Sequence, residues 1–233
     1  MFLMTIPTSY AGPPFVTDDP VPVPYKHWEF YISSIDNFQN HEWSGTSPHF
    51  EVNYGLIRNM QVHLLMPINY SSDQHQYPKF GYADTEVGVK YCFLQETQSR
   101  PQIGTFPIFE IPTIKNSDFS NGKAKIFIPF WAQKSWNKLT TYGGAGYLIN
   151  PGTGNKNSLF TGWEVQYDFS PTISLGEELY FQTPGTANGK DVTAFNIGGS
   201  INPSNKMHFI FSFGHSITNE NFFSSYLGIL WTI

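Results

Sequence analysis

The sequence has few charges, a single cysteine and no long apolar run, and each shortage excludes a class of protein. Charged residues are 13% of the 233 residues, with a formal net charge of -5, so no basic surface for nucleic acid is expected. Cys92 is alone, which excludes an internal disulfide and a thiolate metal cluster. The seven histidines show no clustered ligand spacing, and no nucleotide-binding motif occurs. We therefore expect no metal and no cofactor, and the absence of a run of roughly 18 apolar residues excludes a membrane-spanning helix.

Aromatic and turn-forming residues are abundant, and this composition is typical of an all-β chain. Aromatics make up 17% of the sequence, which also contains 20 glycines and 17 prolines. From residue 27 onward, twelve runs alternate apolar and polar residues between turn signals. Several runs reach the roughly 9 to 11 residues with which a tilted strand crosses a bilayer.

The run from Thr85 to Phe93 shows why the two faces of the strands matter. Val87, Val89 and Tyr91 share one face, whereas Glu86 and Lys90 share the other. In a soluble sheet the apolar face would meet a core, but in a membrane barrel it would meet lipid and the charged face would meet a lumen. Long connections alternate with tight ones such as Arg58–Asn59, as in outer-membrane barrels. We therefore predict a closed antiparallel transmembrane β-barrel of about 12 strands in which Val87, Val89, Tyr91 and Phe93 face lipid.

The last run supports the same fold because its alternation continues to the end of the chain. Phe223, Leu227, Ile229 and Trp231 share one face, whereas soluble domains usually let their last residues fray. The pattern is typical of a closing strand that the barrel-assembly machinery recognises, although Ile233 stands where such signals most often have Phe. We expect outer-membrane lipid and this machinery as partners.

Before the barrel, the sequence divides into two short segments. Residues 1–11 end in Ser9-Tyr10-Ala11, a small-residue pattern that indicates the remnant of a signal peptide. Residues 12–26 form a Pro-rich stretch that cannot enter a central strand, which we call the N-terminal arm. The barrel is expected to occupy residues 27–233.

Several motifs of the chain, read in order, resemble one family. They are AGPPFVTDDPVPVPYKHWEFY, DTEVGVKYCFLQE, GTFPIFEIPT, IFIPFWAQKSW, TYGGAGYLIN, FTGWEVQYDFSPTISLGEELYFQT and FNIGG. Together they resemble outer-membrane transporters related to the meta-pathway phenol-degradation protein family. The resemblance implies a bacterial outer-membrane barrel for the passage of small, often aromatic or hydrophobic compounds. The chain departs from the family at Pro112-Thr113-Ile114-Lys115, where relatives tend to have Pro-Thr-Gly-Asp.

Setting the apolar faces toward lipid assigns a group of polar residues to the lumen. We expect the lysines Lys90 and Lys125 to pair with some of the carboxylates, because an unpaired buried charge is costly. The group forms either a cation-favouring pathway or a structural network. Its candidate pathway residues are Glu29, Glu51, His63, Glu86, Lys90, Glu164, Gln166, Glu178 and Asn196, with Asn53, Asp168 and Gln182 on the same faces.

Asp18 and Asp19 lie in the arm just before the first strand. One hypothesis is that the arm enters the lumen as a plug and that one of these acids meets Lys90. The alternative is a solvated periplasmic tail.

Three residues fit the predicted strands badly. Glu177 shares the lipid-facing parity of Leu175 and Leu179, so we expect a bulge or a shifted strand boundary there. Pro107 and Pro129 lie inside predicted strands and predict distorted pairing, because proline lacks the ladder donor.

The function that the sequence favours is a passive channel for small compounds, possessing no enzymatic activity. One alternative is a lipid-acting barrel enzyme, for which His215 and Ser225 share a face but lack an orienting third residue. The other is a secreted soluble β-sandwich that binds a ligand.

Overall fold

The computed structural model describes residues 13–72, 77–113, 119–120 and 122–233. The predicted signal remnant and the first residue of the arm therefore lie outside the described residues. The described chain forms fourteen strand segments. They are β1 Trp28–Gln39, β2 Glu42–Ile57, β3 Met60–Ser72, β4 Lys79–Tyr82, β5 Thr85–Leu94, β6 Gln102–Thr105, β7 Ile108–Ile111, β8 Lys125–Trp136, β9 Leu139–Ile149, β10 Ser158–Ser170, β11 Ile173–Gln182, β12 Val192–Ile201, β13 Met207–Ser216 and β14 Phe222–Thr232.

The fourteen segments occupy twelve positions in one closed antiparallel barrel. Both β4 and β5 pair with β3, so together they form one interrupted strand. Likewise, β6 and β7 each pair with β5 on one side and β8 on the other. The first strand closes the barrel by pairing with the last over an unbroken register from Glu29↔Thr232 to Gln39↔Phe222. The predicted all-β barrel of about 12 strands is thus confirmed.

The outer face of the barrel is apolar and the inner face is polar. In β5, Val89, Tyr91 and Phe93 are 38, 40 and 49% exposed, whereas Lys90 and Cys92 are 3 and 1% exposed. The same alternation runs through β14 to the end of the chain. Lipid is the solvent that suits such an outer belt. Among the described residues, no helix has the length and apolar character needed to cross a membrane.

The two prolines within predicted strands have different effects. Pro107 lies in the gap between β6 and β7, although its carbonyl still accepts a 3.1 Å hydrogen bond from the Val89 N–H of β5. Pro129 lies inside β8 without a break and pairs in register with Gly146. The strand is therefore interrupted at Pro107, and β8 keeps its ladder with β9 through Pro129 but has no partner in β6 or β7 at Ile128 and Pro129.

The first hairpin differs from the sequence-based expectation. Residues 35–48 have the polar composition of one of the long connections predicted between strands, but β1 and β2 remain paired as far as Gln39↔Glu42. Asn40 and His41 make the turn with φ values of 53° and 66°, a left-handed conformation in which Asn and His are enriched. The polar residues of 42–48 resemble a loop in sequence, and a register shift between Thr46 and His49 interrupts their pairing.

The strand around Glu177 also differs from the sequence-based prediction. The strand β11 pairs with β10 and β12 without a register shift at this residue, which lies opposite Val165 and Ile197. Its side chain is exposed on the outer face between Leu175 and Leu179. The expected bulge is absent, so the barrel carries a carboxylate in its lipid-facing belt.

Candidate functional site

The predicted pathway residues lie on the inner face of the barrel wall. Lys90, Glu164, Glu178 and Asn196 are between 0 and 4% exposed, and Glu51 and His63 are also buried. Glu29, Glu86 and Gln166 are partly buried and share strand parity with the inward residues Tyr31, Lys90 and Glu164. These side chains thus lie toward the lumen, and their role in transport stays a prediction.

On one side of the lumen, pairing aligns polar residues of four consecutive strands. Glu164 of β10 lies between Tyr142 of β9 and Glu178 of β11. Glu178 in turn lies opposite Asn196 of β12. The Asn196 side-chain amide donates a 2.6 Å hydrogen bond to Glu178 Oε2. Directly opposed residues of one face have neighbouring side chains, so this row places two carboxyl groups side by side.

The N-terminal arm crosses the lumen in front of this row. The main-chain N–H of Val16 donates to Glu178 Oε2 at 3.1 Å, and that of Thr17 donates to Glu178 Oε1. At one end of the described arm, Ser212 Oγ in β13 donates to the Pro14 carbonyl at 2.6 Å. Toward the other end, the Val23 N–H donates to Gln61 Oε1 in β3 at 2.7 Å. The N–H groups of Val16, Thr17 and Val23 thus donate to side chains of the wall, whereas those of Asp19 and Val21 donate to the arm's own acids, Asp18 and Asp19.

Lys90 forms the charged contact between the arm and the wall. Its Nζ lies 2.8 Å from Asp18 Oδ1 and 3.3 Å from Asp19 Oδ2, and it also lies 5.1 Å from the centre of the Phe106 ring. Burial raises the pKa of the Asp19 carboxyl, an effect that the Lys90 ammonium opposes. The hypothesis that an arm acid meets Lys90 therefore has the required geometry.

Glycines of the inner wall provide the space in which the arm lies. A Cβ added at Gly162 would overlap Thr17 Oγ1, and one added at Gly55 would overlap the Pro24 carbonyl. At Gly104 an added Cβ would lie 3.0 Å from Pro20 Cβ. Sequence reasoning missed these residues. The sequence did contain a signal for them, because each of three strands has a glycine at an inward-facing position.

A second polar network lies on the inner face of β1, β2 and β3. Tyr31 donates to Glu29 Oε2 at 2.9 Å, and the Asn53 amide donates to Glu51 Oε1 at 2.7 Å. His63 Nδ1 lies 2.8 Å from Asn53 Oδ1 and 3.5 Å from Glu51 Oε1. These contacts link Glu51, Asn53 and His63 across β2 and β3, next to the separate Tyr31–Glu29 pair of β1.

Further along the lumen, Lys125 pairs with acids that sequence reasoning did not single out. Its Nζ lies 2.5 Å from Glu110 Oε2 and 3.7 Å from Asp84 Oδ2. Glu110 lies opposite Glu86 in the neighbouring strand. Asp84 occupies the break between β4 and β5, a position that alternation alone does not assign to either face.

The residues considered for an enzyme do not form a catalytic pair. Ser225 Oγ lies 3.4 Å from Asp36 Oδ2, and Asp36 Oδ1 also accepts a 2.6 Å hydrogen bond from Tyr70. His215 Nδ1 lies 2.6 Å from the carbonyl of Ser216. Within the described residues no hydrogen bond joins His215 to Ser225, and no group of three or more His, Cys, Asp or Glu side chains is arranged around a metal position.

Comparison with known proteins supports the fold. No family model and no curated protein matches the sequence. The structure is similar to the COG4313 outer membrane channel from Pseudomonas putida F1, with a TM-score of 0.72, 15% identity, and coverage of 92% of this chain and 98% of that chain. It is also similar to the NanC porin, with a TM-score of 0.62, 10% identity, and coverage of 87 and 98%.

A third similar structure is the KdgM porin in complex with disordered oligogalacturonate, with a TM-score of 0.58, 11% identity, and coverage of 86 and 98%. At these identities the likeness concerns the fold, which is that of a bacterial outer-membrane β-barrel. Membership of the meta-pathway phenol-degradation family stays a prediction.

Proposed function

We propose that this chain is a passive channel for small solutes in the bacterial outer membrane, and that the N-terminal arm plugs its lumen. The observation that carries the proposal is a polar inner wall, enclosed by an apolar outer belt, with a segment of the same chain bonded across the lumen. Such a wall offers a path for polar groups that lipid does not. The similar outer membrane channel and porins support this function.

The charges of the lumen favour neutral or cationic solutes. The described inner face contains Lys90 and Lys125, and both are already paired with acids, whereas Lys26 at the end of the arm is exposed. Carboxyl groups outnumber them, and a ring of acids favours cations in a pore. The acids are Asp18, Asp19, Glu29, Glu51, Asp84, Glu86, Glu110, Glu164, Asp168 and Glu178.

The resemblance to transporters of aromatic compounds extends the proposed cargo to small aromatic or hydrophobic molecules. A barrel of twelve strands is narrower than general porins of 16 to 18 strands, so the cargo is small in either case. No catalytic role forms part of the proposal.

Removing the arm tests the proposal directly. Single-channel conductance in planar bilayers is compared between the intact protein and a variant that lacks residues 12–24. We expect the variant to conduct several-fold more, because the arm contacts opposite sides of the lumen. A closed barrel resists SDS until it is boiled, so a heat-dependent gel shift in both proteins serves as the folding control. Equal conductance of two folded proteins would contradict the plug.

A further inference from the structure

A group of polar side chains lies on the outer face of the wall, close to the β1–β2 hairpin. Ser34 and Asp36 of β1 lie opposite Leu227 and Ser225 of β14, in a register that has no shift. Leu227 is 50% exposed on the outer face, and residues two apart in a strand share a face. Ser34, Asp36 and Ser225 therefore belong to the surface that faces lipid.

Asp36 accepts hydrogen bonds from three hydroxyl groups. Tyr70 of β3 donates to Oδ1 at 2.6 Å, Ser34 Oγ lies 3.0 and 3.1 Å from the two carboxyl oxygens, and Ser225 Oγ lies 3.4 Å from Oδ2. Gly45 of β2 pairs with both Asp36 and Tyr70, so no side chain separates them. Among the described residues no cation forms an ion pair with Asp36. Because a carboxylate has roughly four acceptor positions, the three hydroxyls leave one position for a further donor.

An apolar groove begins beside this carboxylate. Its volume is about 590 Å³, within the roughly 300 to 1,000 Å³ of small-molecule sites. Ser34 belongs to both features, because it lines the groove and donates to Asp36. Ile229, at the far end of the groove, lies four residues from Ser225 and hence about 13 Å along the strand. Bulky side chains of β13 and β14 form most of the lining, among them Phe209, Phe211, Phe213, Leu227 and Ile229.

The depth of Asp36 in the membrane follows from the aromatic residues next to it. Phe38, two residues nearer the hairpin, packs on Trp43 with ring centres 5.0 Å apart, and aromatic rings at the rim of a barrel mark the headgroup level. Asp36 lies about 6.6 Å deeper along the strand, where acyl chains begin. The longer connections over residues 150–157 and 183–191 leave the barrel at this end, which in outer-membrane barrels faces outward. A donor that reaches Asp36 from the membrane therefore belongs to the chain of a lipid in the external leaflet.

We infer that the groove and Asp36 form a binding site for a lipid whose acyl chain carries a hydroxyl group close to its headgroup. The chain fills the apolar groove, and its hydroxyl donates to the remaining acceptor position of Asp36. The donor is of the same kind as the three that Asp36 already has. A chain without the hydroxyl leaves that position unsatisfied, which is unfavourable for a charged acceptor away from water. The site does not depend on the proposed channel, because it lies on the opposite face of the wall.

Two phosphatidylcholines that differ in a single hydroxyl group test the site. One carries the hydroxyl on the β-carbon of one acyl chain, and the other has the same chains without it. Equal amounts of both are added to the refolded protein, and native mass spectrometry measures the ratio in which they are bound. We expect the hydroxylated lipid to be bound in about tenfold excess, the effect of one hydrogen bond to a charged group. Because both lipids compete in one sample, the ratio does not depend on the amount of folded protein.

Asp36→Leu is the critical variant, because it removes the acceptor and should abolish the preference. Glu177→Leu is its matched control, since it makes the same change at an outer-face acid that does not line the groove, and it should keep the preference. Leu227→Trp fills the groove and should reduce the binding of both lipids. The heat-dependent gel shift shows that each variant is folded. Equal binding of the two lipids by the unmodified protein, or an undiminished preference in Asp36→Leu, would overturn the site.

Discussion

Glu177 and Glu178 are adjacent acids with opposite surroundings, because successive side chains of a strand point to opposite faces. Glu178 is 2% exposed and accepts hydrogen bonds from Asn196 and the arm. Glu177 stands on the outer face between Leu175 and Leu179. One acid is therefore integrated into a polar network and the other is placed against lipid.

Replacing Glu177 with leucine should stabilise the barrel. A charged group in the lipid belt destabilises a barrel in a depth-dependent way, and acids cost less than the ~2 to 4 kcal/mol of Arg or Lys. We expect Glu177→Leu to raise the free energy of unfolding by about 1 kcal/mol, measured by urea titration in lipid vesicles. Glu42→Leu, at the loop end of β2, is the control and should change stability little. A loss of stability in Glu177→Leu would indicate that this acid has a partner outside the chain.

At the scale of elements, the arm is held by shape as well as by charge. Gly162 leaves the space that Thr17 occupies, and a side chain there would overlap the Thr17 hydroxyl. We expect Gly162→Val to displace the arm and to raise single-channel conductance toward that of the arm-deleted protein. Gly185→Val is the matched control, because no atom lies within 4 Å of a Cβ added there. If both variants conduct as the intact protein does, the contact at Gly162 does not hold the arm in place.

The strands could be predicted from the sequence because their side chains alternate with a period of two, as in Val87 to Phe93. The break at Phe106 and Pro107 was also foreseeable, since proline lacks a ladder donor. The path of the arm could be predicted only in part from the sequence. Asp18 and Lys90 have complementary charges, which the sequence shows. The role of Gly55, Gly104 and Gly162 depends on contacts with the arm that exist only in the folded barrel. The pairing of Lys125 with Asp84 depends on a strand interruption, which alternation does not predict.

At the scale of the whole molecule, the excess of carboxyl groups in the lumen should determine which ions pass. Glu86 lies opposite Glu110, and Glu164 lies opposite Glu178. The two pairs of facing acids belong to different parts of the barrel wall. Rings of acidic side chains select cations in pores. In the arm-deleted barrel, where the lumen is open, we expect a preference for K⁺ over Cl⁻.

Neutralising the two acids tests whether they act on ions or only hold the wall. Glu86→Gln with Glu164→Gln should move the reversal potential in a KCl gradient toward that of an unselective pore, because the field at the pore wall becomes less negative. Glu177→Gln removes one carboxylate from the outer face and should leave the reversal potential unchanged, since the barrel wall separates that residue from the lumen. The heat-dependent gel shift distinguishes lost selectivity from lost folding. An unchanged reversal potential in the folded double variant would mean that these carboxyl groups are structural, and that the cation preference, if measured, arises from other residues of the lumen.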